Sequence, residues 1–304
     1  MKNFFYLLLA VLLYSCNSKE KQIAQNENLK NENKEDTEIR TDLYGSWVGD
    51  FMIEERDTTR EAKEGINKIN ILIKKITESE VIGQSIVAGN NRPLKGKIIK
   101  KEDRLIFTLD EPGDDKNDGA FVFEVINDTI VGIWTAYNDK KEVTKRSFKL
   151  TKKEFKYDPN VMLPDYDTYI DFQNPKIEKE KSLPLPDDTI ARKEEEYDEY
   201  DTPSLYRQAS ESVYQINSST TKLKESQLKN LKKLDLEILR NTIFARHGLT
   251  FKTKGVRQFF DFVDWYIPIS SNVDDQLTET EKQNIVLLKR FEKYATDNYD
   301  SFGR

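Results

Sequence analysis

Residues 234–248 read LDLEILRNTIFARHG, and the reading of this stretch decides the carboxyl-terminal third of the chain. On a helix at 100° per residue, Leu236, Leu239 and Ile243 share one side, the width of a buried stripe. Arg240 and His247 fall inside the same arc, Phe244 lies at its edge, and Asn241, Thr242 and Arg246 border it. Gly248 supplies the position after the helix where φ > 0 is usual. The spacing therefore predicts a helix over 234–247 that ends sharply and points two basic side chains where apolar ones are expected. Such groups must be bonded or paired, because burying them alone costs several kcal/mol, on the order of a buried unpaired charge.

Downstream, Thr278-Glu279-Thr280-Glu281 is a capping box and predicts a second helix to about residue 295. Its apolar arc holds Ile285, Leu288, Phe291 and Ala295, with Glu281, Asn284 and Glu292 in the same arc. The complementary inward faces predict that Arg240 pairs with Glu281 or Glu292, and that His247 and Asn284 join the same network. On this expectation Arg240→Met removes a buried partner, a change worth roughly 3–5 kcal/mol, and nearly unfolds the domain. Between the helices, a third helix is expected over 254–263. The cluster of Phe251, Phe259, Phe262, Trp265 and Phe291 reads as core, with Trp265-Tyr266 the part to test for carbohydrate binding.

The landmarks Arg240-Asn241-x-Ile243-Phe244-Ala245-Arg246-His247-Gly248, then Phe251, Phe259-Phe260, Trp265-Tyr266 and Thr278-x-x-Glu281-Lys282-x-Asn284-Ile285, resemble the YARHG domain of bacterial envelope proteins over about residues 218–294. The leading tyrosine of that family is Phe244 here, so a role for its hydroxyl is not expected in this chain. The resemblance implies an extracytoplasmic domain with no established activity. It carries a fold and a location, and no chemistry.

The other end of the chain agrees on location. Lys2 precedes an apolar run over 4–13 that is too short to span a bilayer and reads as a secretory signal, residues 1–15. Leu13-Tyr14-Ser15-Cys16 resembles a lipobox, and Cys16 is the one cysteine of the chain, so no internal disulfide exists and diacylglycerol attachment is its expected use. Two or three acyl chains, at roughly 0.8 kcal/mol per buried CH₂, anchor stably. Residues 16–42 are polar and charged and read as a flexible tether. The expected location is the bacterial cell envelope, lipid-anchored and extracytoplasmic, with periplasmic and surface faces both open.

From 43 to 156 the pattern alternates and β-branched residues dominate. Eight strands are expected, over 44–55, 68–76, 80–88, 94–100, 104–110, 120–126, 129–137 and 144–155, with Asn90-Asn91 and Asn127-Asp128 among the breaks. Short links favour an antiparallel meander, and closure into a barrel removes exposed edges. Gly45-x-Trp47 and Gly132-x-Trp134 resemble the openings of lipocalin-like barrels, with a flatter sheet or sandwich as the alternative. A barrel of this size is either filled by its own side chains or holds one small ligand. Residues 157–206 hold six of the nine prolines and the acidic run 194–199, and read as a linker, within which 167–172 could add a strand to the barrel. The fold class is thus α+β in two domains, the second, over 207–298, small and mostly helical.

Catalysis finds little support. The chain has a single histidine, no nucleophile elbow, no phosphate-binding glycine loop and no H-E-x-x-H helix. One histidine and one lipidated cysteine cannot make a tetrahedral zinc set, and the Asp/Asn-rich segment 111–119 fails the calcium-loop spacing at Lys116 and Val125. No cofactor or metal is expected. Without Lys2 the chain carries 47 basic against 54 acidic residues, with lysines scattered among acids, so no nucleic-acid partner is expected either. The sequence points to a non-catalytic binding or structural role toward an envelope protein or cell-wall glycan. A carrier of small apolar ligands in the barrel and a hydrolase accessory or weak hydrolase are the alternatives.

Overall fold

In a computed structural model the described residues are 37–60, 65–102, 104–165, 169–177 and 204–295. The signal, Cys16 and the first part of the tether lie outside them. Residues 45–153 form a closed eight-stranded barrel in simple meander order: β1 (Gly45–Arg56), β2 (Asn67–Ile76), β3 (Val81–Val87), β4 (Asn90–Lys101), β5 (Arg104–Asp110), β6 (Gly119–Ile126), β7 (Thr129–Ala136) and β8 (Val143–Lys153). β8 closes antiparallel on β1, with Trp47 opposite Lys152 and Phe51 opposite Phe148, so every strand has two neighbours and no edge is left.

The hairpin turns sit where φ > 0 is tolerated. Asn127-Asp128 turns as expected, with φ 46° and 58°. The break expected at Asn90-Asn91 lies instead at Ala88-Gly89, with φ 50° and 81°, and both asparagines belong to β4. The residue that decides this is Gly89: a Cβ there would sit 2.8 Å from the Lys252 Cα, so the hairpin tip packs flush on the helical part.

The barrel interior is filled. Phe107 and Phe123 stack at 4.8 Å, and Phe51 meets Trp134 edge-on at 5.8 Å. Trp47 is buried at the opposite end, its indole N–H donating to the Leu43 carbonyl at 2.8 Å. Leu43 is itself buried, and the Ile39 amide donates to Ile76, so the last residues of the expected tether are part of the barrel.

The helical part comprises α1 (Ser212–Gln215), α2 (Glu225–Leu228), α3 (Lys233–Arg246), α4 (Lys254–Phe260) and α5 (Glu279–Glu292). α3 and α5 pack through Leu236, Leu239, Ile243, Ile285 and Leu288. α4 stops at Phe260, earlier than expected, and Phe262 stands 55% exposed instead of joining the core. The linker expected over 157–206 is in part built into this domain. Its central residues, 178–203, lie outside the described ones. Residues 157–165 run as a strap over the helices, without helix or strand and with a turn at Pro159-Asn160. The strand expected near 167–172 forms as β9 (Ile170–Ile177), but it pairs with β10 (Ser204–Gln208) and packs on α4, away from the barrel.

The two parts meet on the outer face of β2. Lys68 and Asn70 alternate with the inward Ile69 and Ile71, yet both are buried, because the turn after α4 covers them. The Lys68 ammonium donates to the carbonyls of Val263 and Tyr266, and Asn70 donates to Pro268 at 2.8 Å. Among the described residues no helix is long and apolar enough to cross a membrane.

Candidate functional site

The inward polar residues of α3 and α5 converge on Glu281, which is fully buried. Local sequence places it there: the capping box aims its carboxylate back at the Thr278 amide, 2.9 Å away, while Thr278 Oγ1 accepts from the Glu281 amide at 3.2 Å. The same Oε2 bonds His247 Nε2 at 2.8 Å, and Oε1 accepts from the Tyr157 hydroxyl at 3.1 Å. The Tyr157 ring lies flat on the imidazole, centroids 4.2 Å apart. Burial pushes the Glu281 carboxyl up, but the bonds from His247, the Thr278 amide and Ser219 outweigh it and hold it at about 2. Tyr157 is pushed up to about 12 by burial and the neighbouring Glu281 charge.

The two arginines of the motif exchange the places expected for them. Arg246, expected at the border of the stripe, is 3% exposed and donates to the Val161 carbonyl and to Ser219 Oγ, at 2.8 and 2.9 Å. Burial pushes its guanidinium down to about 10, against the pull of Glu281. Arg240, expected inside, sits at the rim in a two-pronged pair with Glu292, at 2.5 and 3.1 Å. Of the two partners expected for Arg240, the structure chooses Glu292. Asn284 does not join the His247 network. It accepts from the Leu223 amide and donates to Ser218 and Thr221 carbonyls, which pins the 217–223 loop. Asn241 folds back on the Glu237 carbonyl within α3, Ala245 is core, and Gly248 takes φ 74° as the helix terminator.

Trp265 and Tyr266 make no exposed ledge. Tyr266 is buried with its hydroxyl on the Leu249 carbonyl at 2.6 Å, and Trp265 is half-buried and donates to the Met162 carbonyl at 2.9 Å. The strap thus receives Arg246, Trp265 and Asn217, the last on the Pro159 carbonyl. Sequence reading missed it because proline density reads as spacer. It missed Asp235 as well: buried at the start of α3, this carboxylate takes bonds from the Lys232 and Ser210 amides and from Ser210 Oγ. An acid three residues into a helix was the available signal.

Against known proteins, a family model, the YARHG domain, matches residues 211–293. The chain carries a YARHG domain. No curated protein and no solved structure matches. The matched stretch of the YARHG domain is shorter than the unit that packs: Tyr157, Val161 and Met162, which close over His247, Arg246 and Trp265, all precede it.

Open space lies along α5 beside Leu223 (about 510 Å³), between α3 and α4 (about 230 Å³), and where the YARHG domain meets the barrel. There, one cleft, about 380 Å³, lies between the 65–67 segment, β9 and α4, and a second, about 330 Å³, opens at the barrel mouth over Phe51, Phe121 and Trp134. Asn67 and Arg257 line both. Buried beside them, Lys68 is pushed down to about 8 and Asp261 up to about 6, each chiefly by burial.

Proposed function

We propose that this chain is a non-catalytic binding protein of the bacterial envelope, anchored through a lipid on Cys16, whose barrel and YARHG domain act as one module on an envelope protein or cell-wall glycan. One observation carries the non-catalytic reading. His247, the only histidine, gives Nε2 to Glu281 and its ring face to Tyr157, and is 3% exposed. A general base must reach a proton on its substrate, and this imidazole is covered. The filled barrel interior weighs against a carrier of apolar ligands, since the cleft on the barrel opens at its mouth. The buried Tyr266 weighs against sugar stacking at that pair and moves recognition to the junction.

The test has two parts. Labelling with a palmitate analogue followed by fractionation should place the chain in the membrane fraction, and Cys16→Ser should abolish label and release it. Incubation with purified sacculi should leave muropeptides unchanged. Release of muropeptides that is lost in His247→Gln would overturn the non-catalytic reading, and an unlabelled, unanchored wild type would overturn the anchor.

A further inference from the structure

We propose that the cleft between the 65–67 segment, β9 and α4 receives a segment of a partner protein in which a carboxylate stands beside an aromatic or aliphatic side chain. This rests on the binding-module reading above and names its partner. Phe172 and Phe262 line the cleft at 61% and 55% exposure, Ile66 adds a third exposed apolar side chain, and Tyr206 leans on Phe172 at 5.2 Å. Single exposed apolar residues are ordinary, but their collection around one cleft marks a contact surface.

Arg257 supplies the polar half. It lines the same cleft, is 8% exposed, and makes one hydrogen bond, from Nη1 to the Lys252 carbonyl. Its Nε is buried without a partner, and the nearest carboxylate oxygen, Asp261 Oδ2, stands 3.9 Å from it, beyond hydrogen-bond reach. A guanidinium left short of acceptors in a partly dry site is costly, and its planar fork fits a carboxylate better than any other common group. Lys254 adds a second positive charge on the cleft wall, so the basic side chains there outnumber its one acid, Asp261. Arg257 and Asn67 also line the second cleft, at the barrel mouth. An extended segment would lay its apolar side chain between Phe172 and Phe262 and its carboxylate toward Arg257.

Random peptides displayed on phage, selected on the full chain in detergent, test this directly. Expected are selected peptides that place Asp or Glu next to Phe, Tyr, Leu or Ile. Their binding should fall about tenfold or more in Phe262→Ser and in Lys254→Glu, and stay unchanged in Val286→Ser on the far helix. Phe262 is exposed and Lys254 half-buried, and circular dichroism of each variant separates lost binding from lost fold, which is at greater stake in Arg257→Gln. Selection of nothing above background, of peptides lacking acids, or of peptides that bind the two cleft variants equally would overturn the proposal. Peptide binding in solution does not depend on the lipid, so its failure is separate from a failure of the Cys16 anchor.

Discussion

The barrel and the YARHG domain solve the same problem in opposite ways. In the barrel the strand ladder satisfies the main chain all the way round, so the interior is free to be rings and aliphatics, Phe51, Phe107, Phe121, Phe123 and Phe148 among them. The YARHG domain has two helices of fourteen residues and little other regular structure. Many of its carbonyls and amides lie in loops, and buried or half-buried side chains serve them: Arg246 on Val161, Asn284 on Ser218, Thr221 and Leu223, Asn217 on Pro159. Buried polar groups in a small domain stand in for a missing backbone ladder, and a conspicuous motif of that kind reports architecture before chemistry.

The largest test of the contrast is Glu281→Leu. It leaves His247, the Thr278 amide and Tyr157 without their acceptor and should cost roughly 3–5 kcal/mol, melting the YARHG domain while the barrel transition survives. Calorimetry resolving the two transitions reads it, and a barrel that melts together with the domain would show that the junction couples them. Phe121→Ala should do the reverse, at about 3–5 kcal/mol from the barrel, because a ring is lost from a closed core.

Acid weakens rather than deletes the Glu281 hub. The folded carboxyl titrates at about 2 against an ordinary 4.5, so its contribution is full above 4.5 and is lost as pH falls toward 2. The junction groups run the other way. Asp261 holds its proton to about pH 6, so stability falls as pH climbs from 3.8 to 6, and Lys68 sheds its proton near 8, so stability rises from there to 10.5. Urea melts across these windows should show the slopes, with Asp261→Asn flattening the first and Lys68→Met the second. Arg240→Met should cost about 1–2 kcal/mol by thermal melt, between the values for exposed and buried pairs, since the Glu292 pair is at the rim. Phe244→Tyr should be smallest, within about 0.5 kcal/mol, because Phe244 is only half-buried.

Much of this was legible beforehand. Alternation fixes the strands to within a few residues, because period-2 burial in a closed sheet leaves no freedom of face: Ile69, Ile71 and Ile73 point in together. The capping box placed α5, and the wheel placed the Leu236–Leu239–Ile243 stripe. The roles of Arg240 and Arg246 were not legible, since a helical wheel knows only its own axis. What buries Arg246 is the Val161 carbonyl, 85 positions earlier in the chain. Lys68 and Asn70 escaped notice for the same reason: the pattern of β2 marks them as outward, and only the docked turn makes outward mean buried. Nothing in the spacing of α4 singles out Arg257, and the junction cleft it lines exists only once the two parts meet.

The strap also bears on inheritance and engineering. Because Tyr157, Val161 and Met162 roof the motif from outside the matched residues, the piece that can be recognised is smaller than the piece that can be exchanged. A recombination event or a graft that moves residues 211–293 alone delivers Arg246 and His247 to a new host without their roof, and the host must supply one.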